Sequence, residues 1–255
     1  MSNNTDDDII NFYEVIQDKY KVKSRNPFFD THHIPLPALI GVVGGSGSGK
    51  SNWLCNFLNQ MHDFDTFDKI IILCKNRDEP LYNALADALP KLEFHEIRSE
   101  KNKGRNVLVG MPSIDEFKTD ENNLVIFDDL VGEKDQSQIE QFYLRCRKRN
   151  CSALYLSQSY FRMPIFIRIQ LHFLFILKLS SDRDLNRILH EYAIGVDHDE
   201  LLAIYQYATR ERFHFLTIHI SAPLHQRYRL NFGTIVDITG SAGSDAGCAG
   251  GGGSC

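Results

Sequence analysis

Between residues 44 and 51 the chain reads Gly44-Gly45-Ser46-Gly47-Ser48-Gly49-Lys50-Ser51, a glycine-rich run that satisfies G-x-x-x-x-G-K-[ST]. A loop of this kind, set between a strand and a helix, lets successive backbone N–H groups and the helix N-terminus surround a polyphosphate. Glycines suit it because the backbone takes angles that a Cβ forbids and because the phosphate must come close to the main chain. The spacing assigns Lys50 to the β- and γ-phosphates and the Ser51 hydroxyl to Mg²⁺, so ATP with Mg²⁺ is the expected ligand.

A second constellation is Leu124-Val125-Ile126-Phe127-Asp128-Asp129, four apolar residues followed by two carboxylates. The pattern puts both acids at the C-terminal edge of a buried strand, where α/β sheets hold their ligands. Asp128 is expected to hold Mg²⁺, and Asp129 to orient and deprotonate the attacking water. The third candidate is Gln158, at the end of the next apolar run, Leu154-Tyr155-Leu156-Ser157. In ATPases with an additional strand between the two motif strands, an amide here lies beside the γ-phosphate and senses hydrolysis. Taken by itself, the residue also reads as an ordinary strand end.

The elements that must position these groups are written in the same stretches. ALIGVV ahead of the glycines reads as a buried strand, SNWLCNFLNQM behind them as a helix, KIIILC as a strand, and PLYNALADAL as a helix opened by proline. LVIFDD, QSQIEQFYLRCRKR and SALYLSQS continue as strand, helix and strand. HFLFILKL, helices near DRDLNRILHEY and DELLAIYQYA, and the strands FHFLTIHI and RYRLNF follow. This alternation predicts an α/β fold with a mostly parallel central sheet and helices on both faces. Residues 1–35 form a lead-in, with an amphipathic helix over 9–20 and a Pro-containing connector, and the core runs over 36–236. The Gly/Ser/Ala-rich stretch 237–255 is expected to be a disordered tail or linker.

Composition narrows the class. With 255 residues, 43% hydrophobic and 24% charged, the chain has the make-up of a globular protein built around one core domain. A net charge of -5 gives no chain-wide attraction to nucleic acid, so any DNA contact must be local. One place fits: residues 141–170 hold Arg145, Arg147, Lys148, Arg149, Arg162 and Arg168 and no acid. The six cysteines show no C-x-x-C pair, which points away from zinc and a disulfide framework and toward reduced thiols. The N-terminus lacks the pattern of a signal peptide, and IQLHFLFIL is too short to cross a bilayer, so a soluble protein is expected.

Taken together, GGSGSGKS, LVIFDDL and LYLSQSYFRMPIFIR resemble the poxvirus-type genome-packaging ATPases of DNA viruses, a branch of the FtsK–HerA superfamily. The resemblance runs from about residue 36 to about residue 195, and SQSYFRMP carries most of its specificity. It implies a P-loop NTPase of the additional-strand (RecA/FtsK-like) type, working as a ring-shaped homo-oligomer that drives double-stranded DNA into a preformed capsid. Capsid vertex proteins as partners, no membrane span, and a virion-associated location at the host's cytoplasmic assembly site come with it. It also carries over Lys50, Ser51, Asp128, Asp129 and Gln158 in the roles given above. Many relatives in the wider superfamily have glutamate where this chain has Asp129.

Ring motors take a positive charge from the neighbouring subunit, and an arginine that stabilises the transferring phosphoryl group is worth about a thousandfold or more in rate. Arg162 and Arg168 are the first candidates for that catalytic role, with Arg145 and Arg149 next. The cluster Arg145, Arg147, Lys148 and Arg149 could follow DNA phosphates in a pore or serve a subunit interface. Another FtsK/HerA-type translocase or helicase-like ATPase, a P-loop nucleotide kinase, and a nucleotide-binding scaffold without turnover remain as alternatives.

Overall fold

A computed structural model describes residues 12–15, 17, 26, 29, 33–61, 66–102, 105–133 and 135–236. Of the expected lead-in helix only the turn α1 (Phe12–Val15) falls among them, and the expected tail over 237–255 lies outside them.

The motifs fall within a run of alternating strands and helices. Strand β1 (Leu39–Val43) delivers the glycine loop to helix α2 (Lys50–Gln60), after which β2 (Lys69–Cys74) leads into α3 (Pro80–Ala88). Next come β3 (Leu92–Glu96), a hairpin of β4 (Arg98–Asn102) and β5 (Arg105–Val109), and β6 (Asn123–Asp128), the strand that ends in the acids. Helix α4 (Ser137–Arg145) returns the chain to β7 (Cys151–Ser157), and the short α5 (Ile165–Arg168) to β8 (Phe173–Ile176). Helices α6 (Asp182–Tyr192) and α7 (His198–Ala208) precede β9 (Leu216–His219), α8 (Leu224–Arg227), β10 (Tyr228–Leu230) and β11 (Thr234–Ile235).

Among the described residues nine strands form one sheet, in the order β11-β10-β9-β8-β1-β7-β6-β2-β3. The six from β8 to β3 run parallel, and β9, β10 and β11 close one side antiparallel. The strand that follows the acids in sequence therefore sits between the glycine-loop strand and the acid strand. This is the additional-strand arrangement.

Burial explains why the central strands are apolar throughout. Every residue of β1 and β7 is buried, and alternate side chains enter different cores. Ile40, Val42, Leu124, Ile126, Leu154 and Leu156 pack with Trp53, Leu54 and Phe57 of α2 and with Tyr82 and Leu85 of α3. Leu39, Val43, Val125, Phe127, Ala153 and Tyr155 pack with Phe142 of α4, Leu189 of α6 and Leu201 of α7. Trp53 anchors the helix behind the loop: its ring lies 5.2 Å from Phe57, 4.7 Å from Phe175 and 5.8 Å from Phe232. Truncation of a ring so buried costs about 3–5 kcal/mol, so Trp53 ties the loop's position to the strands beneath it.

The structure departs from the sequence expectation in several places, among them β3, which the sequence reading passed over. HFLFILKL makes a strand only over Phe173–Ile176, because Leu177 and the residues after it turn toward the glycine loop. The β4–β5 hairpin has no counterpart in the sequence reading: β4 is Arg-Ser-Glu-Lys-Asn, exposed at every position, with no apolar alternation to betray it.

Candidate functional site

The three motifs meet at the C-terminal edge of the parallel strands. Val43, the last residue of β1, is in register with Ser157 of β7, and Asp128 of β6 with Leu156 of β7. Backbone hydrogen bonds tie the exits together: Gly44 N–H donates to Ser157 O at 3.2 Å, Gly45 N–H to Lys178 O at 3.0 Å, and Asp129 N–H to Leu156 O at 3.0 Å.

The loop has the shape that an anion requires. A Cβ at Gly44 would strike the Ser48 side chain and lie 2.8 Å from Leu177 Cβ, so only glycine lets the first turn close this tightly. Gly49, at φ 99°, sits in left-handed backbone and caps α2 without any side-chain hydrogen bond, which leaves the first-turn N–H groups facing out of the helix. Ser48 Oγ is buried and has no hydrogen-bond partner in the protein. An orphaned hydroxyl in the loop that opens α2, beside the free N–H groups of the helix's first turn, fits a phosphate oxygen. Ser46 and Gly47 form the exposed tip, and Ser51 is half-buried on the first turn.

Lys50 bends back over the loop, donating from Nζ to Gly44 O at 3.0 Å and Gly45 O at 3.3 Å. Burial lowers its pKa, while Asp129, Asp128 and Glu79 pull in the other direction. A partly desolvated ammonium facing acids is held where a polyphosphate would replace those weak carbonyl acceptors.

The two acids point to different neighbours. Asp129 lies in left-handed backbone at φ 51°, which aspartate tolerates, and this kink separates the carboxylates. Asp129 Oδ2 accepts a 2.6 Å hydrogen bond from Gln158 Nε2, so the sensor candidate and the base candidate are joined directly. Asp128 Oδ2 accepts a 2.8 Å hydrogen bond from the Tyr82 hydroxyl. Burial pushes Asp128 up to about 6; the Tyr82 hydrogen bond opposes the rise and the Asp129 charge adds to it. A half-desolvated carboxylate of this kind gains from a cation beside it. Among the described residues no group of three His, Cys, Asp or Glu could hold a metal alone. Ser51 and Asp128 suit Mg²⁺ in the other way it is bound, with few protein ligands and the remainder from phosphate and water.

Four residues at the site were invisible to pattern reading. Tyr82, from α3, orients Asp128; burial raises its own pKa, which keeps it a donor. Glu79, just ahead of α3, adds a third acid to the surroundings of Lys50. Asp184 accepts from Ser159 Oγ at 3.0 Å and Phe161 N–H at 2.7 Å and so fixes the loop that follows Gln158. Lys75 lines a cleft of about 420 Å³ together with Asp129, Gln158, Ser159 and Arg162. Their types are common in helices and loops, and only the packing of α3 and α6 and the pairing of β2 with β6 bring them here.

The arginines divide. Arg162 is exposed and lines the cleft of its own chain. Arg168 corrects the expectation of a finger offered to a neighbour: it is buried, its Nη1 donates to Glu191 Oε1 at 3.2 Å, and its guanidinium lies 4.9 Å from the Tyr160 ring centroid. A cation so engaged is part of the core beneath α6. The basic cluster lies at the opposite edge of the sheet, in the turn Cys146–Arg149 that precedes β7. Arg149 pairs with Asp115 at 2.7 Å and Arg145 lies 3.6 Å from the same carboxylate, whereas Arg147 and Lys148 are exposed.

Residues 32–221 match the family described as Poxvirus A32 protein. The fold is similar to the crystal structure of B204, the DNA-packaging ATPase from Sulfolobus Turreted Icosahedral Virus. The TM-score is 0.54 at 14% identity, covering 78% of this chain and 98% of that one. The genome packaging NTPase B204 from Sulfolobus turreted icosahedral virus 2 is similar as well. Its complex with AMPPCP gives a TM-score of 0.52 at 12% identity, with 78% and 100% covered. Its complex with ATP-gammaS gives 0.51 at 13%, with 77% and 97% covered. At such identities the likeness establishes the fold, that of a P-loop NTPase. No curated protein matches the sequence.

Proposed function

We propose, for a chain that belongs to the poxvirus A32 protein family, that the site hydrolyses ATP to drive double-stranded viral DNA into a preformed capsid. The observation that carries the reading is the meeting of Lys50, Asp128 and the Asp129–Gln158 pair at one sheet edge, around a loop with an orphaned Ser48 hydroxyl. When ATP binds, Lys50 exchanges the carbonyls of Gly44 and Gly45 for the β- and γ-phosphates, and the α2 N-terminus supplies N–H donors. Ser51 and Asp128 would hold Mg²⁺, which would neutralise charge on the phosphates. Asp129 accepts the proton of the attacking water. Gln158 reports the state of Asp129 to β7, the strand between the two motif strands.

Arg162 supplies its positive charge from its own subunit, since it already lines the cleft beside Asp129. Mixing Lys50→Ala subunits with Arg162→Ala subunits is then expected to restore no ATPase activity at any ratio, and rescue would assign Arg162 to the neighbour instead. Arg147 and Lys148 track DNA phosphates in a ring of copies, and assembly at a capsid vertex in the host cytoplasm follows from the packaging role. Among the described residues no helix is long and apolar enough to cross a membrane.

The test is ATP hydrolysis with and without double-stranded DNA, in wild type and Asp129→Asn. Hydrolysis without any added acceptor, stimulated by duplex DNA and lost in the variant, is expected. Turnover that needs a small hydroxyl acceptor would point to a nucleotide kinase, and ATP binding with no turnover to a scaffold.

A further inference from the structure

The turn between α7 and β9 holds an aromatic side chain that the phosphate chemistry leaves unused. We infer that Phe213, with Arg212 stacked on it, is the platform for the purine base of the bound nucleotide. This rests on the proposed nucleotide site and extends it from the triphosphate to the base.

Phe213 adopts φ 69°, in the left-handed region that a bulky residue enters only at a cost. Burial does not offset that cost, since the residue is 40% exposed. Its ring lies directly on the phosphate loop: a Cβ at Gly49 would collide with ring Cδ1 and come within 2.9 Å of Cε1. The Arg212 guanidinium stands 4.5 Å from the ring centroid. An exposed aromatic layered with a guanidinium is the surface on which nucleobases stack, whatever their hydrogen-bonding edges.

Position argues the same way. The cleavable end of the triphosphate must face Asp129 and Gln158, on the β6 and β7 side of the loop. The base then leaves on the other side of β1, toward β8 and β9, where Phe213 lies. The platform is held rigidly against the phosphate site. Phe215, two residues on, is buried 6.2 Å from Trp53 of α2 and 4.9 Å from Phe232, and its N–H donates to Asn231 Oδ1 at 3.2 Å.

The experiment titrates ATP and inorganic tripolyphosphate into the full chain and its variants. In Phe213→Ala, ATP affinity is expected to fall about tenfold, the loss of one stacked base, with tripolyphosphate affinity unchanged. Phe213→Trp is expected to keep ATP affinity and to show emission quenched by ATP and not by tripolyphosphate, against Trp53, the only native tryptophan and a buried one. Equal losses for both ligands in Phe213→Ala would make the ring a mere buttress of Gly49, and no loss for ATP would remove it from the site; either overturns the platform. A wild type that binds neither ligand would instead refute the nucleotide site on which the inference rests.

Discussion

The two edges of the parallel sheet treat charge in opposite ways. At the C-terminal edge Lys50, Asp128 and Asp129 are partly desolvated and committed to fixed partners within about 3 Å, so their interactions are short-ranged and resistant to salt. At the N-terminal edge Arg147 and Lys148 stand in solvent, while Arg145 and Arg149 share one carboxylate. Charges of that kind act over a Debye length and weaken as ions are added. Under the proposed function, the first edge serves bond chemistry on a bound phosphate and the second a loose attraction to extended DNA.

Variants at each edge sharpen that contrast. The largest effect belongs to Asp129→Asn, expected to lower ATP turnover about a hundred- to ten-thousandfold while DNA binding, measured by fluorescence anisotropy, stays at the wild-type level. A parallel loss of DNA binding would mean that the edges are not separate. Next is the double reversal Arg147→Glu with Lys148→Glu. It should abolish DNA stimulation of the ATPase, leave basal turnover intact, and lower the slope of log affinity against log salt by about two. An unchanged slope would take these side chains off the DNA path.

The smallest expected effect concerns stability. Asp128 titrates at about 6 in the folded chain against an ordinary 3.8, so the native state holds this proton more tightly than the unfolded one. Its contribution is therefore complete below about pH 4 and is lost as pH rises through about 6. Asp128→Asn, which cannot ionise, should raise stability in metal-free buffer at pH 7.5 by on the order of 1–2 kcal/mol and by nothing at pH 4. Denaturant melts at the two pH values measure this. Equal gains at both would show that desolvation of the carboxylate is not the cause.

How far the primary structure reaches can be judged residue by residue. The placement of Lys50, Ser51 and Asp128 at the sheet edge was legible because it depends on local order: glycines that free the backbone, a lysine that opens a helix, an acid at the end of an apolar strand. The parallel sheet was legible for a related reason, since strands covered on both faces must be apolar throughout. The strand order, the Tyr82 hydrogen bond to Asp128, the cleft that Arg162 shares with Asp129, and the burial of Arg168 against Glu191 were decided only in three dimensions. Each joins segments distant in the chain, and nothing in a residue's own neighbourhood records which remote helix will pack beside it. Phe213 marks that boundary most sharply: an ordinary residue in an undistinguished turn, it is set on Gly49 by the packing of β9 against the core.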